Sequence, residues 1–163
     1  FAADLSAATV VTLYLMPEVN ARLRPKLLAE LRPGTRVVSN SFDLGDWEPD
    51  RHVLGRTSGG LFFWIVPARV GGTWRVSFPD AAFDLQIMQR FQAVEVTGRG
   101  GPDLRGGALN GDRISFRGVD AARRYAFSGR VDGARMSGVV QVHDAGGSSV
   151  QRWEARRVDG ATR

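Results

Sequence analysis

The chain has 163 residues, 43% of them hydrophobic and 24% charged, enough for one ordinary domain or two small ones. It contains no cysteine and only His52 and His143, which excludes disulfides, cysteine-based metal centres, a thiol nucleophile and a histidine-rich metal site within one chain. The net charge of +5 rests on arginine, Lys26 being the sole lysine; the arginines are scattered among acids and give no strong nucleic-acid signal, and no apolar run approaches the ~18 residues of a membrane span.

Residues 1–68 alternate strand and helix. Thr9 to Leu15 is β-branched and almost wholly apolar, the pattern of a strand buried on both faces of a parallel sheet. Pro17 and Glu18 suit a first helical turn. Val19, Leu23, Leu27, Leu28 and Leu31 then recur at helical spacing. Pro25 falls inside this pattern and predicts a kink or two short helices. Pro33-Gly34 ends the helix, and Arg36 to Phe42 reads as a second strand. Strand, crossover helix and strand form the unit of a parallel α/β sheet. An acidic loop, Asp43 to Asp50, follows, with Trp47 as its expected anchor. Leu61 to Val66 reads as a third buried strand, closed by Pro67.

From about residue 70 the helical period is lost and glycine becomes dense. Short alternating runs are expected as strands at Thr73 to Phe78, Phe83 to Met88, Phe91 to Thr97, Arg113 to Arg117, Tyr125 to Val131, Arg135 to Val142 and Val150 to Arg156. Asn110-Gly111 and Asp132-Gly133 are hairpin signals between alternating runs. His143-Asp144 reads as a turn. The aromatic residues of this half, among them Trp74, Phe83, Phe116, Phe127 and Trp153, suffice for a core of their own. The expected architecture is α/β followed by all-β: a partial parallel sheet over residues 1–68 and a small antiparallel sandwich or barrel over 69–163.

The string from Ala8 to Asn20, with Leu23 to Leu28 and Leu31 to Ser39, resembles the fourth strand, following helix and fifth strand of class I S-adenosylmethionine-dependent methyltransferases. Within that superfamily it looks most like the seven-strand branch that includes non-SET protein-lysine methyltransferases. Phe63 to Ala68 and Gln89 to Gln92 resemble bacterial members with a small appended β domain. The resemblance implies a Rossmann-like sheet, S-adenosylmethionine as cofactor and a nucleophilic acceptor, a protein amine being favoured. It places Thr12, Tyr14 and Pro17 along the methyl-transfer pocket. Thr12 stands where the lysine-directed branch often carries an asparagine. Asp4 and Leu5 fall near the adenine side by the same resemblance, although a capping aspartate is the other reading of Asp4. Asn20, Asn40 and Asp43 are candidates for contacting the acceptor, because open α/β sheets bind ligands at the carboxyl ends of their strands. Each also has a plain structural reading: buried strand residue, helix cap or solvated loop.

The family's cofactor site is built on a glycine-rich loop after the first strand, and no such loop is legible here. Gly98 to Gly101 and Gly55 to Gly60 neither follow a buried strand nor open a helix. The chain starts at Phe1, and the expectation is that it is part of a longer protein that carries this loop. A half sheet would leave Thr9 to Leu15 as an open edge, prone to self-association. The rival expectation is a non-enzymatic β-rich binding module with a remnant α/β segment. No Gly-x-Ser-x-Gly elbow or zinc motif is present. The sequence fixes no compartment; a cytoplasmic one is the default.

Overall fold

The computed structural model describes residues 2–55, 59–79 and 81–158. The chain divides into two compact units, Phe1–Pro67 and Ala68–Arg163.

The first unit contains β1 (Val10–Leu13), α1 (Pro17–Glu30), β2 (Arg36–Asn40), β3 (Arg51–Val53) and β4 (Leu61–Ile65). Its sheet has the order β1-β2-β4-β3. Only β1 and β2 run parallel, joined by α1. Strand β4 returns antiparallel to β2, and β3 antiparallel to β4. The expected parallel, Rossmann-like sheet is therefore limited to one pair. The physical reason lies in the connections: α1 supplies the crossover that a parallel neighbour requires, whereas the described part of the segment between β2 and β4 holds no helix.

Strand β1 is shorter and more open than expected. It ends at Leu13, and its burial alternates, with Val10 44% exposed and Leu13 buried. Having β2 as its single neighbour, it is the sheet edge rather than a strand covered on both faces. Helix α1 runs through Pro25 as one 14-residue element instead of two. It buries Asn20, Leu23 and Leu27 at helical spacing. Leu13, Leu31, Val37, Leu44, Trp47 and Trp64 are the other main buried side chains of this unit. Trp47 does anchor the acidic loop: it is fully buried, its ring lies 5.9 Å from that of Trp64, and its carbonyl accepts the Trp64 indole N–H at 2.8 Å.

The second unit is β5 (Gly72–Phe78), β6 (Ala81–Arg90), β7 (Ala93–Arg99), β8 (Asp103–Asn110), β9 (Arg113–Val119), β10 (Arg124–Asp132), β11 (Arg135–Asp144) and β12 (Gly147–Arg157). Each strand lies beside its sequence neighbour, and β12 pairs back onto β5. The result is an up-and-down antiparallel barrel, closed except for a seam between β7 and β8, where no ladder forms among the described residues. Two strands go beyond the sequence expectation. Strand β8 carries Gly106 and Gly107 in a bulge between Arg105 and Ala108, which hides its alternation. His143 and Asp144 end β11 rather than forming the turn.

Side chains fill the barrel. Phe127 is the hub: its ring lies 4.6 Å from Phe116, 5.8 Å from Trp153, 5.9 Å from Phe78, 6.0 Å from Phe83 and 6.1 Å from Tyr125. These separations suit edge-to-face and offset-stacked rings. Gly129 makes room for Trp153, and Gly138, which faces it across β10 and β11, lets the two backbones approach. A Cβ on Gly129 would lie 2.7 Å from the Trp153 ring, and one on Gly138 would lie 2.0 Å from the Ser128 carbonyl. The indole N–H is shared between the Ser128 and Val139 carbonyls, both at 3.1 Å.

Gln89 ties the start of this unit together. Its amide oxygen accepts the Val70 and Gly71 N–H groups at 2.7 and 2.9 Å, and its nitrogen donates to the Ala68 and Phe91 carbonyls at 2.8 and 2.7 Å. Arg157 donates to the Gly71 and Arg69 carbonyls and lies 4.4 Å over the Trp74 ring.

Candidate active site

Because β1 and β2 are parallel, their carboxyl ends open at the same end of the sheet, the end where α/β sheets bind ligands. Thr12, Tyr14 and Pro17 come from the β1 side and Ser39, Asn40 and Asp43 from the β2 side. Thr12 pairs in register with Val38, and Leu13 with Ser39. Thr12 and Pro17 are exposed, and Tyr14 is 75% exposed. Neither Thr12 nor Tyr14 is a buried strand residue: Tyr14 falls just beyond the strand, and Thr12 is exposed on it.

Pro17 occupies the first turn of α1, where its missing N–H costs nothing, and Glu18 adds a negative charge there. Both features make this helix start a poor anion site, since one amide donor is lost and a carboxylate stands beside the rest.

Asn20 is the joint of the site. It is fully buried, and its amide nitrogen donates to Ser39 Oγ at 3.2 Å, the Asp43 carbonyl at 2.9 Å and the Phe42 carbonyl at 3.4 Å. One side chain on α1 thus holds the end of β2 and the turn after it. That turn is strained at Ser41, a non-glycine residue with φ 69°. Asn20 Oδ1 has no hydrogen-bond partner although it is buried, an unused acceptor at the carboxyl end of the sheet.

The acidic loop is mostly committed to its own fold. Asp43 accepts the Gly45 N–H at 3.0 Å. Asp46 pairs with Arg24, which also donates to the Leu44 carbonyl at 2.8 Å. Asp50 accepts the Ile65 N–H at 2.7 Å, and burial holds its carboxyl above the usual range against that hydrogen bond.

Asp4 and Leu5 are at the opposite end of the sheet. The Leu5 N–H donates to Glu30 at the last turn of α1, at 3.2 Å, and Asp4 caps a turn by accepting the Ser6 N–H at 2.9 Å. That bond is the first cause of the lowered Asp4 carboxyl. The structure brings Thr12, Tyr14, Pro17, Asn20, Asn40 and Asp43 to one end, and Asp4 and Leu5 to the other. Ser39 and the Ser41 turn complete the arrangement; the buried hydroxyl one strand away from Asn20 is the signal that links them.

A nucleotide-like cofactor of this kind is held by a glycine loop that opens a helix. Gly98 to Gly101 lie at the β7–β8 connection, outside the first unit, and Gly55 to Gly60 fall partly outside the described residues. No glycine loop opens a helix among the described residues. The groups gathered here are mainly oxygen acceptors, the Asn20 amide oxygen and the Asn40 and Asp43 side chains, which suit a cationic or amine donor and do not form a phosphate cradle.

Comparison with known proteins bears on this unit. Residues 1–51 match the family profile of the ANTKMT methyltransferase domain, just under a third of the chain. A protein-lysine N-methyltransferase of Saccharolobus islandicus (strain REY15A) is 55% identical over 49 residues, 30% of this chain and 30% of that protein. Residues 1–51 thus carry a methyltransferase-type sequence. A crystal structure of an RNA methyltransferase from Salinibacter ruber in complex with S-adenosyl-L-homocysteine is 51% identical, over 42% of this chain and 44% of that one, with a TM-score of 0.41. The chain spans less than half the length of either relative.

Proposed function

We propose that residues 1–67 form the acceptor side of a class I S-adenosylmethionine-dependent methyltransferase, with a protein amine as methyl acceptor. The observation that carries this reading is the parallel β1–α1–β2 unit. It gathers oxygen acceptors at one sheet end, within the stretch that matches a methyltransferase profile, in a chain of which 49 residues are 55% identical to a protein-lysine methyltransferase. A protein amine is a hydrogen-bond donor whether neutral or charged, which suits the Asn40 and Asp43 oxygens at this end. Methyl transfer depends on holding the nucleophile in line with the sulfonium carbon, so the value of this end of the sheet is positional. The cofactor, when bound, supplies the methyl electrophile.

In this reading β1 is an interior strand of the complete sheet, and the strands bearing the nucleotide loop pair along its open edge. An uncovered edge of this kind also supports self-association of the chain on its own. The test is a chimera in which residues 1–51 replace the matching stretch of the Saccharolobus islandicus enzyme. Methyl transfer from labelled S-adenosylmethionine to a lysine-bearing protein is expected to persist. A folded chimera that binds the cofactor and transfers nothing would sink the reading. Titration of S-adenosylhomocysteine into the present chain is expected to show no saturable binding, and saturable binding would show that the nucleotide site does not need those further strands.

The barrel carries a second reading for its own unit, an independently folding binding module. Its sheet closes onto itself and its aromatic core lies within residues 68–158.

A further inference from the structure

The arginines that look scattered in the sequence are brought into pairs by the barrel register. On the outer face, Arg105 of β8 lies directly opposite Arg117 of β9, and Arg113 of β9 directly opposite Arg130 of β10. All four are exposed. Like charges directly opposite on neighbouring strands are destabilising. Local carboxylates relieve half of this: Asp103 pairs with Arg105 at 2.5 Å and Asp112 with Arg130 at 2.6 Å. Arg113 and Arg117 are in no ion pair among the described residues.

Between the two arginine pairs the surface is small and hydroxylated. Ser115 and Ser128 face each other across β9 and β10, with Ala108 beside Ser115 on β8. These residues line a shallow groove that ends at Arg113 and Arg130. Arg113 and Arg117 are four residues apart on one strand, roughly 13 Å. The groove thus carries the Ser115, Ser128 and Ser137 hydroxyls beside Ala108 and Val139, with the Arg113–Arg130 pair at its end and no aromatic ring in its lining; the Arg105–Arg117 pair lies beyond it on the same outer face.

We propose that the outer face of β8–β10 binds the phosphodiester backbone of a single-stranded nucleic acid. Two opposed guanidiniums match a phosphate better than a carboxylate. A carboxylate is filled by one bidentate arginine, while a phosphate presents oxygens to forks from two sides. Serine hydroxyls are further donors to phosphate oxygens. The contacts on offer are to phosphates and read no base, so binding is sequence-tolerant and dominated by counterion release. The proposal is independent of the methyltransferase reading of residues 1–67.

The experiment is fluorescence anisotropy of a labelled oligouridylate with the full chain across a salt series. Arg113→Gln/Arg117→Gln is compared with Arg22→Gln/Arg32→Gln, a control of equal charge on two exposed arginines outside the barrel. The barrel variant is expected to bind about tenfold more weakly. The slope of its log affinity against log salt is expected to fall by about 1.4, two single-strand phosphate contacts. Ser128→Glu, which leaves every arginine in place and puts a carboxylate on the floor, is expected to weaken binding as well. Equal losses in barrel and control variants would overturn the proposal, because the effect would then be net charge alone. So would undetectable oligouridylate binding, or preference for a polyglutamate peptide at the same arginines, which would make the face an acidic-protein surface. Thermal melts identify any variant that is unfolded, and in that case Ser128→Glu decides.

Discussion

The two units solve the same problem, satisfying a β-sheet, in opposite ways. In residues 68–158 the last strand pairs with the first, so edges survive only at the β7–β8 seam, and the enclosed faces meet in one aromatic cluster around Phe127. In residues 2–67 the sheet stops at β1, with Val10 exposed and β2 as its one neighbour. Closure gives the barrel a core that needs nothing further. The open sheet keeps an edge and a free carboxyl end, where α/β sheets generally bind ligands, and the methyltransferase-type sequence lies on the open unit.

The sharpest break of this contrast is Phe127→Ala. Phe127 touches five aromatic neighbours, so its truncation is expected to cost about 3–5 kcal/mol of barrel stability. Hydrogen exchange read by mass spectrometry should show protection lost across β5–β12, with β1–β4 unchanged. Equal loss in both units would mean that they unfold as one cooperative body, and the contrast would fail.

Each unit also relies on one side-chain amide that gathers backbone groups, and comparing the two sharpens the difference. Asn20 is fully buried, whereas Gln89 is half-buried. Asn20→Leu removes the donor from Ser39 and from the Phe42 and Asp43 carbonyls, and is expected to cost about 1–3 kcal/mol. It should also raise exchange in the 39–43 turn. Gln89→Leu strands two N–H groups and two carbonyls, but water can reach some of them. The expected cost is about 1–2 kcal/mol, confined to residues 68–91. Urea titrations of both variants check the order; a larger loss for Gln89→Leu would mean that its four bonds outweigh burial.

Much of this was legible in the sequence, for local reasons. The β1–α1–β2 unit follows from an apolar run, a Pro-Glu helix start and leucines at helical spacing. Both two-residue hairpins follow from glycines whose φ values, 58° at Gly111 and 55° at Gly133, most residues avoid. What stayed hidden depends on distant pairing. Strand β8 is masked by Gly106 and Gly107, because a bulge erases the period of two. The reversal of β4 is invisible because an apolar strand reads alike in either direction. Asn20 could be weighed only as pocket-facing or capping, since nothing local shows that Ser39, nineteen positions on, lies beside it. The arginine pairs are likewise a product of register.

The smallest effect belongs to the barrel rim, where Tyr125 donates its hydroxyl to Asp120 at 2.7 Å. That hydrogen bond is the main cause holding the Asp120 carboxyl below the usual range, with the Ala122 N–H adding to it. A carboxyl depressed in the folded state contributes stability that is present above its ordinary pKa and is lost as pH falls through the folded value. Burial first, and then the Asp120 carboxylate, raise the Tyr125 phenol. The folded protein thus keeps that proton longer than the unfolded chain, and stability falls as pH rises beyond the ordinary tyrosine value near 10. Tyr125→Phe removes the phenol linkage and the largest contribution to the Asp120 one, leaving the Ala122 and Arg123 N–H bonds in place. Its stability profile should be flatter than the parent's below pH ~4 and above pH ~10, with a small loss between. The ring contact with Phe127 is kept, so the aromatic core should not register the change, and melting curves over pH separate this outcome from a packing defect. A uniform offset with unchanged acid and alkaline limbs would show that the hydroxyl contributes through packing alone, and that the barrel carries no charge linkage at this rim.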